Sequence, residues 1–153
     1  MNSRTPRLPA PLGTVLSRLP AWPGSVLFVT GLNAFLVRHL PADVRDALCD
    51  RSLRIRVTDA NIDVDFTYSG HTFRAARHQH DVDLTIAAST YDFLCLMQRE
   101  EDPDTLFFSR RLVMEGDTEL GLMVKNALDA LDMSTPAIRH FMPVINIVSH
   151  VLR

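Results

Sequence analysis

Phe107-Phe108-Ser109-Arg110-Arg111-Leu112-Val113-Met114-Glu115-Gly116-Asp117 is the stretch on which the fold turns, because it joins a strand pattern to a helix start. Phe108, Arg110, Leu112 and Met114 alternate with Ser109, Arg111, Val113 and Glu115, the period of two expected of a strand with unlike faces. Gly116 turns the chain. The Asp117 carboxylate is placed to accept from the N–H of Glu119 or Leu120 at the positive end of a helix dipole. Leu120, Met123, Val124, Ala127, Leu128 and Leu131 then recur at helical spacing and give that helix one apolar face.

Upstream, Leu53, Ile55 and Val57 alternate with Arg54 and Arg56, and Ile62, Val64, Phe66 and Tyr68 alternate with Asp63, Asp65 and Thr67. For both apolar sets to share a face, the connection must hold an even number of residues, and a two-residue Ala60-Asn61 turn meets that condition. A second hairpin turning at Ser69-Gly70 sets Phe66 opposite Phe73 and Asp65 opposite Arg74. Arg56, Asp65 and Arg74 then form a charged row on the solvent side of three strands, leaving Leu53, Ile55, Val57, Phe66 and Phe73 on the covered side. Val82, Leu84 and Ile86 mark a fourth strand. Ser89 or Thr90 caps a helix carrying Tyr91, Leu94 and Cys95, with Phe93 and Met97 beside them, and a polar loop spans Arg99 to Asp104.

At the ends, residues 1–24 read as a basic, proline-rich arm and residues 25–153 as one domain. Ser25 to Leu40 is apolar on nearly all sides but is interrupted by Asn33 and Arg38. A span needs about 20 apolar residues, so a buried helix is expected there. Pro41 ends it, and Ala42 to Cys49 forms another helix. Pro136 opens a last helix with Ile138, Phe141, Met142, Ile145, Val148 and Leu152 on one face.

The chain has 153 residues, 46% of them apolar and 22% charged, enough for one domain with a real core. A net charge of −2 excludes a general nucleic-acid binder. The charge is unevenly placed: residues 1–42 hold Arg4, Arg7, Arg18 and Arg38 and no acid, so +4 there leaves −6 for the remainder of the −2 total. Peripheral contact between this arm and an anionic membrane is therefore an expectation. Cys49 and Cys95 lack metal-type spacing and are expected to be buried free thiols in a reducing cytoplasm.

Catalytic chemistry finds no constellation. His78 and His80, near Asp81 and Asp83, lack a dependable third ligand, so a solvated loop is expected and neither metal nor cofactor is assigned. His140 and His150, the histidines near the apolar C-terminal helix, are ten positions apart and do not converge on one helix face. Five of the six methionines lie between Met97 and Met142, either as gap filling or as an adaptable lining for an apolar guest. Arg110 interrupts the apolar face of Phe108, Leu112 and Met114, and it either snorkels to the rim or meets a polar head group.

The order of elements, with the Phe108-to-Asp117 stretch and its Glu115-Gly116-Asp117 step, resembles the sterol carrier protein type-2 family over about residues 40–131. The N-terminal arm and the Phe141-Met142-Pro143 segment are similar to bacterial members that act as accessory factors in ubiquinone biosynthesis. The resemblance implies an α+β fold, with a five-stranded, mostly antiparallel sheet covered by helices around an apolar lipid tunnel, and no bond-making chemistry. It implies a hydrophobic lipid ligand, a prenylated quinone precursor or a phospholipid, in isoprenoid quinone synthesis without oxygen. Peptidase-like iron-sulfur proteins of that synthesis are the implied partners. The expected lining is Met97, Phe107, Phe108, Leu112, Met114, Leu120, Met123, Val124, Leu128, Ile138, Phe141, Met142 and Ile145, with Arg110 at the rim. The expected location is the cytoplasm, peripheral to the inner membrane; the His150-Val151-Leu152-Arg153 end is no peroxisomal address. The rival expectation is a protein-interaction scaffold with a filled core.

Overall fold

The computed structural model describes residues 29–34 and 36–131. The N-terminal arm and the Pro136 helix, with Ile138, Phe141, Met142 and Ile145, lie outside the described residues. Residues 29–34 are helical, and α1 spans Ala42–Leu48. The strands are β1 Ser52–Val57, β2 Ile62–Ser69, β3 Thr72–Ala75 and β4 Leu84–Ala88. After them come α2 Thr90–Gln98, α3 Pro103–Phe108, β5 Val113–Gly116 and α4 Thr118–Ala130. The five strands form one sheet in the order β3-β2-β1-β4-β5, antiparallel throughout except for the parallel β1–β4 pair. The α+β class and the mostly antiparallel five-stranded sheet implied by the family resemblance are both present.

Strand pairing divides the sheet residues into two faces. Leu53, Val64, Phe66, Tyr68, Phe73, Leu84, Ile86 and Ala88 are buried on the inner one, with Ile55, Ile62, Ala75 and Met114 packed against them. Helix α1 contributes Val44 and Leu48 to this layer, and α4 contributes Leu120 and Ala127. Asn33 fastens the preceding helical segment to the sheet edge, its side chain donating to Phe73 O at 2.7 Å and accepting from Phe73 N at 2.6 Å.

Both hairpin registers differ from expectation by two residues. Between β1 and β2 the turn takes four residues, Thr58 to Asn61, pairing Val57 with Ile62 and Arg54 with Asp65. The longer turn has a structural use: the Asp59 carboxylate accepts from the Thr90 N–H at 2.9 Å and from its hydroxyl at 3.0 Å, fixing the start of α2. In the second hairpin the turn is Gly70-His71, with φ of +58° and +67°, so Tyr68 rather than Phe66 faces Phe73. Placing glycine first in a turn with two left-handed residues spares Ser69 that conformation. A shift of two keeps every side chain on its face, and the Phe66 and Phe73 rings still meet edge to face at 5.6 Å.

Two element assignments are corrected. Residues 107 and 108 are not strand but the end of α3, which also takes in part of the expected polar loop. Asp102 caps this helix, accepting from Thr105 N, and Pro103 occupies its first position. Cys49 is exposed at the end of α1, contrary to the expectation of a buried thiol, whereas Cys95 is buried and burial pushes its thiol pKa up.

Candidate functional site

The Glu115-Gly116-Asp117 step is a structural junction. Asp117 N donates to Asp83 O at 2.8 Å, and the Asp117 carboxylate accepts from Leu120 N at 3.0 Å, so one residue ties β5 to β4 and caps α4. Gly116 crosses the Asp83 carbonyl at a φ of +114°, where a side chain has no room. Asp83 in turn accepts from Ser52 N at 2.7 Å and from the Ser52 hydroxyl at 2.9 Å. The Ser52 N–H leads the interactions that hold the Asp83 carboxyl below the usual carboxylate range.

From this junction α4 returns across the inner face. Gly121 lets it approach closely: a Cβ there would lie 3.4 Å from Leu84 Cδ1 and 3.6 Å from Met114 Sδ. Of the expected lining, Leu112 and Leu120 are buried, while Met114, Met123 and Val124 pack against the core as half-buried neighbours. Leu128 is half-buried near the end of α4. Met97, Phe107 and Phe108 lie on the surface instead, Phe108 at 80% exposure, and Arg110 is exposed at a φ of +59°.

Two arginines hold the helices around this layer. Arg111 Nε donates to Asp92 Oδ1 at 2.8 Å, and Nη1 donates to both Glu101 oxygens at 2.8 and 2.7 Å. This joins α2 to the segment that leads into β5. Arg99, left-handed at the end of α2, donates to Leu128 O at 3.2 Å, Asp129 O at 3.1 Å and Leu131 O, satisfying carbonyls at the end of α4. Lys125 pairs with Asp104, joining α4 to α3.

The sequence carried a signal for Asp92. Ser89 accepts from Asp92 N at 3.1 Å and donates to its carboxylate at 2.7 Å, a close relative of the capping box. No comparable signal marks Tyr68. Its hydroxyl is buried within the inner layer and has no hydrogen-bond partner among the described residues.

The outer face is not the solvated row expected. Arg54 and Asp65 are buried, joined by bonds of 2.6 and 2.8 Å, and the segment after β3 folds over them. Gln79 N donates to Asp65 at 2.9 Å, and Gln79 O accepts from Arg54 at 2.5 Å. Burial pushes the Asp65 carboxyl upward, but the Arg54 bond and the Gln79 N–H outweigh it and hold the group below its ordinary value. Arg56 pairs with Asp63 at 2.9 Å, beside a groove of about 350 Å³ lined by Arg56, Val57, Thr58, Asn61 and Asp63.

Among the described residues no three His, Cys, Asp or Glu side chains are grouped to hold a metal ion. His78 and His80 are both exposed. Among the same residues no helix is long and apolar enough to cross a membrane.

Residues 32–129 match the model of the SCP-2 sterol transfer family. A 51-residue stretch, 33% of this chain, is 57% identical to the ubiquinone biosynthesis accessory factor UbiT of Escherichia coli (strain K12) and covers 29% of that protein. The UbiT of Escherichia coli O157:H7 gives the same figures. The match thus spans less than a third of the length of these relatives. A solved structure, the "UbiJ-SCP2 Ubiquinone synthesis protein", superposes with a TM-score of 0.57 at 24% identity, covering 72% of this chain and 97% of that one. That likeness is one of fold. With the five-stranded sheet and the family model spanning residues 32–129, the chain belongs to the SCP-2 sterol transfer family.

Proposed function

We propose that this chain is a non-catalytic lipid-binding accessory protein that carries or presents a hydrophobic lipid, a prenylated quinone precursor or a phospholipid, in oxygen-independent ubiquinone biosynthesis. The observation that carries the reading is membership of a sterol-transfer family, together with 57% identity to UbiT over 51 residues. The packing is consistent with it: α4, with Met123 and Val124, lies over an inner sheet face whose buried side chains are apolar apart from the Tyr68 hydroxyl. Each methylene sheltered there contributes about 0.8 kcal/mol, so a prenyl or acyl tail supplies affinity without any bond-making group. The lining is then drawn from Leu112, Met114, Leu120, Met123, Val124 and Leu128, with Ile138, Phe141, Met142 and Ile145 from the C-terminal segment. Peptidase-like iron-sulfur proteins are the proposed partners, and the cytoplasmic side of the inner membrane is the proposed location.

Solvent extraction of protein purified from its own cells, followed by mass spectrometry, tests the reading. A stoichiometric prenylated aromatic compound or phospholipid is the expected result, and an empty extract from protein that also takes up neither lipid in vitro overturns it. A second reading, a protein scaffold with a filled core, is favoured by the close packing of Gly121 against Leu84 and Met114. Native mass spectrometry showing a stable protein complex without lipid would select it.

A further inference from the structure

Phe107 and Phe108 end α3 in an unusual way for apolar residues. The same short helix buries Pro103 and Leu106, which fix it to the core, yet Phe107 is 38% exposed and Phe108 is 80% exposed. Their rings meet edge to face at 5.8 Å. The backbone beneath them is well tied. The Ser109 hydroxyl donates to Thr105 O at 2.8 Å, Arg110 N to Phe107 O at 3.0 Å, and the N–H groups of Arg111 and Leu112 both to Leu106 O at 2.9 Å.

The two adjacent arginines have different surroundings. Arg111 turns inward to Asp92 and Glu101, while the Arg110 guanidinium is exposed and meets no acid among the described residues. The left-handed backbone at Arg110, φ +59°, separates their directions. The result is a braced tip that presents two aromatic rings and one unneutralised cation.

We propose that Phe107, Phe108 and Arg110 dock the protein on a phospholipid bilayer, with the rings among the upper acyl carbons and the guanidinium on a lipid phosphodiester. The size of the patch favours a bilayer over a second protein. A phenylalanine side chain offers about 150–250 Å², so these two at their exposures present roughly 200–300 Å². A specific protein interface needs on the order of 500 Å² or more on each partner, whereas a bilayer sets no such minimum. The chemistry also fits: aromatic rings partition to the membrane interface, and a planar guanidinium can donate two parallel bonds to phosphate. The chain's own residues 132–153 are a poorer cover, since their ionised side chains, Asp132, Arg139 and Arg153, bring a net charge of the same sign as Arg110. This contact draws on none of the arginines of the N-terminal arm and on none of the residues proposed to line the interior.

The test uses the full chain with extruded vesicles of phosphatidylcholine alone and of phosphatidylcholine with 30% phosphatidylglycerol. Cosedimentation is expected to fall at least tenfold in the Phe107→Ser/Phe108→Ser variant. Arg110→Gln is expected to lose about threefold and most of the preference for phosphatidylglycerol. Leu122→Ser, on the exposed side of α4, serves as the control and should bind as the parent does. Urea midpoints should match the parent in all three.

A second measurement places a reporter at the tip, Phe108→Trp in a Trp22→Phe background. Its emission should shift to the blue on vesicle addition and be quenched by lipid brominated high on the acyl chain. Three outcomes overturn the proposal: the double serine variant sediments like the parent; vesicles bind the protein without shifting the reporter; or the reporter is blue-shifted before vesicles are added, which means another part of the chain or a second copy already covers the tip. Solvent extraction of bound lipid is scored separately, so an empty interior and a non-docking tip are distinguishable.

Discussion

The backbone of Gly116 rests so closely on the main chain of Asp83 that a Cβ at position 116 would stand 2.3 Å from the Asp83 carbonyl oxygen. That contact brings β5 onto β4 and delivers Asp117 to the start of α4, so the acidic-Gly-Asp step is a packing requirement. Gly116→Ala combines a collision with backbone and a residue forced to a φ of +114°. The expected loss is about 2–6 kcal/mol, from left-handed strain of ~1–3 kcal/mol and overpacking of similar size. Gly70→Ala, at a φ of +58° with open space around it, is expected to cost about 1 kcal/mol. Urea unfolding of the two variants measures the difference; equal losses would mean that the Asp83 contact contributes nothing.

Asp65 supports a prediction about acid stability. Its carboxyl is held below the ordinary value of 3.8 in the folded chain. It therefore protonates at lower pH folded than unfolded, and its stabilising contribution is complete above 3.8 and disappears as pH falls through the folded value. Asp83 and Asp102 shift in the same direction and add to the same acid limb. Asp65→Asn leaves buried Arg54 only the more distant Asp63 carboxylate, 3.9 Å from its Nε, and is expected to cost about 3 kcal/mol at pH 7. The deficit should narrow as pH falls below 3.8, where the unfolded parent takes up a proton that the folded carboxyl resists. Urea midpoints across that range test it, and a constant deficit would contradict the linkage.

The same pair shows what the sequence could and could not convey. Alternation in β1 and β2 assigns each residue to a face, and every inward assignment from Leu53 to Phe73 survives. Alternation is indifferent to a slip of two, however, and both hairpins slipped by that amount, one because Asp59 is drawn to Thr90 and one because Gly70 takes the first left-handed position of its turn. The burial of Arg54 was not legible either, because it depends on a loop more than twenty residues downstream folding over the outer face. Phe108, Arg110 and Leu112 imitate by their spacing a strand that begins only at Val113, so of that alternating set only Met114 lies in β5. Asp102-Pro103 was the competing signal, and it prevails because a capped proline start commits the next turn to helix.

Arg111 is the polar centre linking α2 to the approach to β5, and its loss should be felt through Asp92. Arg111→Met leaves that buried carboxylate without its guanidinium, with an expected cost of about 3–5 kcal/mol. Arg111→Lys keeps the charge but not the planar fork that reaches Asp92 and Glu101 together, so it should recover only part of the loss. Adding Asp92→Asn to Arg111→Met should restore stability relative to the single variant. A double-mutant cycle by urea unfolding reads the coupling, and strict additivity would show that the two side chains act independently.

Tyr68 offers the clearest view of the inner layer, because its ring belongs there and its hydroxyl does not. The ring packs on Phe73 with centroids 4.9 Å apart, and the side chain is buried, but its oxygen has no hydrogen-bond partner among the described residues. Burying a hydroxyl without a partner costs about 1–3 kcal/mol. Tyr68→Phe keeps the ring contact and removes the cost, so lipid-free protein should gain about 1 kcal/mol, which corresponds to a rise in Tm of about 2–4 °C. Thermal unfolding after delipidation makes the comparison. A fall in Tm would mean that the hydroxyl is satisfied inside the folded protein. A rise in the delipidated protein that vanishes in protein purified with its lipid would instead locate a polar group of the guest beside Tyr68.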